Sequence, residues 1–226
     1  MRTHSLIPVL LLLCLPPAAT SASDDPPRRI TGEFWAELEP ISLEGAQYGP
    51  PSRKEQVQAM LEEARFVFSG MIYGFSFVYT PSDKVRQVEE VFTVEPAAEI
   101  PRGSPNLTVR QTYTSEGKVY ALIDYRLEEF EQYRITGWRK NTTPRISGKG
   151  DGVYFSGPDE KITAHKNAVK SAIREYLRKQ TYNKPRRAAG RFVFTEAPRV
   201  FAEGGKYVSA VDIKLLLDEL KPYTVF

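Results

Sequence analysis

SRKEQVQAMLEEARFVFSGMIYGFSFVY, residues 52–79, decides the fold, because it reads as one amphipathic helix running into one strongly apolar strand. Ser52 and Glu55 have the spacing of a capping box, in which hydroxyl and carboxylate each satisfy an orphan backbone amide. Val57, Met60, Leu61, Ala64 and Val67 or Phe68 then recur at helical spacing, with Gln56, Glu62, Glu63 and Arg65 elsewhere on the cylinder. Gly70 is expected to end the helix. From Met71 the chain turns aromatic and β-branched, and Ile72, Phe75, Phe77, Val78 and Tyr79 predict a central strand that is apolar on both faces. Gly70, Gly74 and Ser76 interrupt this run, which is too short to cross a bilayer.

On the N-terminal side, Glu33 to Glu39 alternates, with Phe34, Ala36 and Leu38 on one face and Glu33, Trp35, Glu37 and Glu39 on the other. That pattern predicts a half-buried strand whose glutamates form a soluble edge rather than a metal site. On the C-terminal side, Thr80 to Asp83 is a turn, and Val85 to Val94 is an antiparallel partner strand or a short helix. Leu107–Thr114 and Lys118–Leu127 form a hairpin around Ser115-Glu116-Gly117, with Val119, Ala121, Ile123, Tyr125 and Leu127 on one face. Asp124, the acid set inside that apolar strand, is expected to be a paired or half-exposed carboxylate rather than a catalytic one. Glu128, Glu129 and Glu131 are adjacent in sequence, which is no evidence of two carboxylates facing each other across a cleft. Tyr133 to Trp138 reads as a short strand, and Arg139 to Gly157, with Lys149-Gly150-Asp151-Gly152, reads as a loop.

A second helix follows, capped by Ser156 with Asp159, with Ile162, His165, Val169, Ala172, Ile173, Tyr176 and Leu177 on its apolar face, and stopped by Asn183 to Pro185. Gly190–Ala202 and Lys206–Leu217 read as strands, the end of the latter being open to a helix. Helix, strand, turn and strand thus occur twice, at residues 52–95 and 159–217, and Arg65-Phe66-Val67-Phe68 recurs as Arg191-Phe192-Val193-Phe194. The expected fold is α+β, with two amphipathic helices on a mainly antiparallel sheet, in a single domain spanning residues 33–226.

Residues 1–23 resemble a secretory signal, with Arg2, an apolar run from Leu6 to Leu15 and a small-residue exit, and residues 24–32 read as a flexible leader. Cys14 lies within the apolar run. It is a lipidation candidate, but bulky Leu13 directly before it favours a hydrophobic filler. Cleavage would leave no cysteine, so the exported chain would be stabilised by packing alone, as suits a bacterial periplasm or envelope.

Charge is divided along the chain. Residues 24–99 carry 7 Lys or Arg against 14 Asp or Glu, a net of −7, whereas residues 159–199 carry 11 against 4, a net of +7. Lys166, Lys170, Arg174 and Arg178 recur every four residues on the second helix, and Lys184, Arg186 and Arg187 continue the basic run. These seven residues are the candidate site for an anionic partner, either a protein or an envelope component, unless the stripe is a solvated face or pairs with the acidic N-terminal half. Nucleic acid is not an expected partner of an exported chain, no transmembrane span is expected in the mature chain, and no motif calls for a metal or cofactor. The expected role is a non-catalytic binding or assembly module of the envelope. The alternative is a secreted hydrolase with an acid-based or serine-based site.

Overall fold

The computed structural model describes residues 27–38, 52–140, 142–157 and 159–223, so the leader at residues 1–23 and Cys14 lie outside the described residues. In chain order the elements are β1 (Arg29–Glu37), α1 (Arg53–Ile72), β2 (Phe75–Thr80), β3 (Val91–Pro96), β4 (Leu107–Ser115), β5 (Lys118–Arg126), α2 (Glu129–Lys140), β6 (Arg145–Val153), α3 (Glu160–Gln180), β7 (Arg187–Phe194), β8 (Arg199–Glu203) and β9 (Lys206–Lys221). All strand pairing is antiparallel. One sheet runs β1-β5-β4; the other runs β3-β2-β7-β9-β6, with β8 also paired to β9. The fold is α+β.

The capping box forms as its spacing requires: the Ser52 hydroxyl accepts from the Glu55 amide at 3.3 Å, and the Glu55 carboxylate accepts from the Ser52 amide at 2.7 Å. Beyond this start, α1 departs from expectation at two places. It continues through Gly70 to Ile72, and the left-handed turn falls at Gly74, φ +77°, whose amide returns to the Ser69 carbonyl. Gly70 instead makes space, since a Cβ there would sit 2.3 Å from the Phe75 ring. Val57 is exposed while Glu63 is buried, so the inward face is rotated toward a charged partner.

Two cores result. Ile30, Phe34, Met60, Phe68, Ile72 and Ile123 pack α1 against the first sheet. Phe75, Phe77, Val169, Ile173, Phe192 and Ile213 pack α3 against the second. Each such side chain contributes roughly 1.5–3 kcal/mol on leaving water. Phe66 and Met71 touch both cores. β2 is an interior strand as expected, but only Phe75, Phe77 and Tyr79 are buried, while Ser76 is exposed.

Several other segments differ from the sequence reading. Residues 133–138 are helical, within α2, because buried Glu131 and Ile135 lie one turn apart and bind the helix inward. Glu131 accepts from the Tyr73 hydroxyl, from the Tyr125 hydroxyl at 3.0 Å and from the Glu128 amide at 2.8 Å, so it is a structural anchor. The partner of β2 is Val91–Pro96, because residues 83–88 close on themselves through an Asp83–Val88 bridge. The strand region at 190–202 divides into β7 and β8, and the Leu215–Leu220 stretch remains extended in β9. The recurring tetrapeptide falls in helix at residues 65–68 and in strand at residues 191–194.

The largest departure is β6, in the stretch read as a loop. Gly148, Gly150 and Gly152 alternate, so all three face α3, where an added Cβ would lie 2.1 to 2.3 Å from the backbone of Ala168 or Glu160. Ala164, Ala168 and Ala172 supply the matching small residues on the helix. These glycines let a helix lie almost directly on a strand. The expected side-chain cap of α3 is absent: Asp159 makes no cap hydrogen bond, and Glu160 instead accepts from the Val153 amide at 2.9 Å.

Candidate functional site

Two charged regions lie on α3, and they have opposite surroundings. The first is a seam between the cores. Glu63 of α1 and Lys161 of α3 are only 5% and 3% exposed, and His165 and Ser209 are fully buried beside them. His165 Nδ1 lies 2.8 Å from Ser209 Oγ, and its Nε2 lies 3.3 Å from a Glu63 oxygen. The second Glu63 oxygen is 3.5 Å from Lys161 Nζ. Lys161 also donates to the Trp35 carbonyl and stands 3.7 Å over the Trp35 ring. Burial by itself would raise the Glu63 carboxyl, but Lys161 and the hydrogen bond from His165 hold it below the ordinary glutamate value. Burial draws the Lys161 ammonium down from its ordinary value against the pull of Glu63.

His165 is thus a packed and hydrogen-bonded side chain on the apolar face of α3. Its partners were not legible: Glu63, Lys161 and Ser209 were not singled out. The available signal was a charge at helical spacing on an apolar face, Lys161 four residues before His165, and Glu63 between Met60 and Val67. The Ser209–His165–Glu63 chain resembles a nucleophile, base and acid in composition. No substrate can reach it in this conformation, because serine and histidine have no accessible surface and the Phe66 and Phe194 rings cover the imidazole. Asp124 is likewise an internal tie, pairing with Arg29 at 3.0 Å and accepting from Thr31 at 2.7 Å. Trp35, placed with the glutamates in the alternating pattern, is buried and donates to the Val200 carbonyl at 3.0 Å, because the second face of β1 also meets a neighbour.

The second region is the C-terminal end of α3. A groove of about 410 Å³ opens there, walled by Tyr79, Glu90, Arg174, Arg178, Tyr182 and Lys184. It adjoins a trough of about 900 Å³ that includes Lys84, Val85, Arg86, Leu220 and Tyr223, and the two share Tyr182 and Lys184. The seven basic candidates divide among several surroundings. Lys166 lies over Phe66 at 5.8 Å, and Lys170 pairs with Glu90 at 3.1 Å. Glu90 also accepts from the Tyr79 hydroxyl at 2.8 Å; burial opposes its charge, but Tyr79 and Lys170 hold its carboxyl below the ordinary value. Arg178 pairs with Glu175 on the open surface, and Lys184 donates to the Ser82 carbonyl at 2.7 Å. Arg187 meets Glu219 at 3.6 Å, on the β9 side, and exposed Arg186 precedes it.

Arg174 makes no ion pair among the described residues. The structure therefore brings Arg174, Arg178 and Lys184 together and leaves the others outside the groove. Helix geometry accounts for the split, because four residues advance about 400° around the axis, so the stripe rotates by about 40° at every step. Tyr182, also missed by the sequence reading, is fully exposed at the groove's rim.

An α+β protein with a basic, aromatic-rimmed groove and a closed polar seam is the class that fold and site define. Residues 18–223 match the profile of a protein family of unknown function, and the chain belongs to that family. The chain is also 29% identical over 193 residues to an uncharacterized protein of Treponema pallidum (strain Nichols), covering 85% of this chain and 81% of the relative. No solved structure matches.

Among the described residues, no helix is long and apolar enough to cross a membrane, and no group of three or more histidine, cysteine, aspartate or glutamate side chains could hold a metal ion.

Proposed function

We propose that this chain is an exported binding or assembly module of the cell envelope that holds an anionic partner, a protein or an envelope component, at the groove beside the C-terminal end of α3. The observation that carries the reading is the concave gathering of Arg174, Arg178 and Lys184 around an exposed tyrosine. Arg178 and Lys179 occupy the last turn of α3, where the helix dipole favours cations without any ligand. Arg174, a turn earlier, lies outside that last turn and makes no close ion pair among the described residues, its charge reaching Glu90 only at longer range. The secretory pattern of residues 1–23 supports the compartment.

The hydrolase alternative has one observation in its favour, the Ser209–His165–Glu63 chain, and its burial weighs against it. The test is a pull-down from the native envelope with the wild-type chain and the Arg174→Glu/Arg178→Glu double variant. The binding reading expects a partner captured by the wild type and lost by the variant; equal capture by both would overturn the assignment of this groove. Ser209→Ala separates the alternative, because a hydrolase loses its activity with that substitution while a binding module keeps its partner.

A further inference from the structure

Resting on that reading, we infer that the anion held at the groove is an acidic polypeptide segment that also carries an aromatic or other large apolar side chain, rather than a lipid headgroup. Charge is the first argument. The two acids lining the groove and trough are already neutralised from within: Glu90 by Lys170 and the Tyr79 hydroxyl, and Asp83 by Arg86 at 2.7 Å and by the amides of Val85 and Arg86. Arg174 and Lys84 make no close ion pair among the described residues, and Arg174 reaches Glu90, already paired with Lys170, only at longer range. Arg178 meets Glu175 with both side chains more than half exposed, a contact of little net strength that an incoming carboxylate can replace.

Shape is the second argument. Groove and trough share Ser82 and residues 181–185 and so form one continuous concavity, with Arg174 lining the groove and Arg86, stacked over the Tyr223 ring at 4.2 Å, lining the trough. A membrane surface is flat and cannot follow such a concavity, whereas an extended segment can place successive side chains along it.

Apolar exposure is the third. Tyr182 is fully exposed and Val85 is 91% exposed, so the rim of a basic site carries two large side chains with no internal contact to justify them. A headgroup would use the cations alone and leave both in water. Tyrosine and arginine are the residue types that carry binding energy at polypeptide interfaces, where a tyrosine orders at little entropic cost.

The experiment titrates the full chain with three probes: a random glutamate–tyrosine copolymer, polyglutamate and phosphatidylglycerol vesicles. The copolymer is expected to bind more tightly than polyglutamate. Tyr182→Ala should weaken the copolymer about tenfold, the scale of one lost anchor, and leave polyglutamate unchanged. Arg174→Glu should weaken both polymers. The melting temperature of the Tyr182 variant should equal that of the wild type, since the side chain touches nothing internal. Equal affinity for the two polymers, or no effect of Tyr182→Ala, would overturn the peptide inference and leave the anionic-partner reading standing. Binding of vesicles without binding of either polymer would do the same in favour of a lipid. Failure of the wild type to bind any of the three would overturn both.

Discussion

The two ends of α3 carry charge to opposite purposes. Near its start, Lys161 and His165 are buried against Glu63 and Ser209, and every polar atom there answers another. Near its end, Arg174 and Arg178 face solvent across a groove with their nearest acids committed elsewhere or weakly held. The same residue chemistry thus acts as internal structure at one end and as an available surface at the other. What separates them is desolvation: a charge taken out of water is tolerated only when paired, so the buried end is fixed in its geometry while the exposed end is free to accept a ligand.

That comparison breaks most visibly at the seam. Lys161→Met leaves Glu63 buried without its ammonium and should destabilise the chain by about 3–5 kcal/mol, read by denaturant unfolding. A loss below about 1 kcal/mol would mean that the seam is hydrated rather than closed. The seam also predicts acid sensitivity. Because the folded state holds the Glu63 carboxyl below the ordinary glutamate value, its contribution is fully present above that ordinary value and is lost as pH falls through the lower folded value. Glu63→Gln should therefore flatten the fall in stability on the acid side, which a series of melts across that range would detect.

Next in size is the glycine track beneath the same helix. Gly150→Val places a side chain against the Ala168 backbone, which cannot rotate away, and should destabilise by at least about 1–3 kcal/mol. Gly137→Ala in α2 is the control, since a Cβ there meets nothing within 4 Å, and it should be neutral or slightly stabilising.

Smaller still is the middle of α3, where Lys170 and Glu90 are both partly exposed. Lys170→Ala should lower stability by about 1 kcal/mol or less, an effect that diminishes in high salt. The smallest effect on stability belongs to the groove. Arg174→Gln should move the unfolding free energy by about 0.5 kcal/mol or less, since its side chain makes no close ion pair among the described residues, while weakening partner capture. A large loss of stability there would show that the groove end is internal structure like the seam, and the contrast between the two ends would fail.

Much of the architecture was legible in the residues. The capping box at Ser52, the alternation of Lys118 to Leu127 and the pairing of Asp124 follow from short-range spacing and from the rule that buried acids are partnered. Elements whose identity rests on a distant contact were misread. Residues 133–138 include the poor helix formers Ile135, Thr136 and Gly137, and become helical because Glu131 is anchored by Tyr73 and Tyr125. The site divides in the same way. The basic residues of α3 were visible as a run, yet sequence could not show which of them already had acids opposite, nor that Tyr182 stands at the rim.

By itself the sequence determined that helices and antiparallel strands alternate, where α1 begins and which hairpin closes at Gly117, because capping and period-two patterning act over a few residues. Only tertiary structure decided that Arg145–Val153 forms a strand, that Lys161 is inside and that Arg174 is outside. Each of those outcomes depends on what lies against the residue from far along the chain: the backbone of α3 over glycines 148, 150 and 152, Glu63 beside Lys161, and a Glu90 that pairs closely with Lys170 and leaves Arg174 only a longer-range attraction.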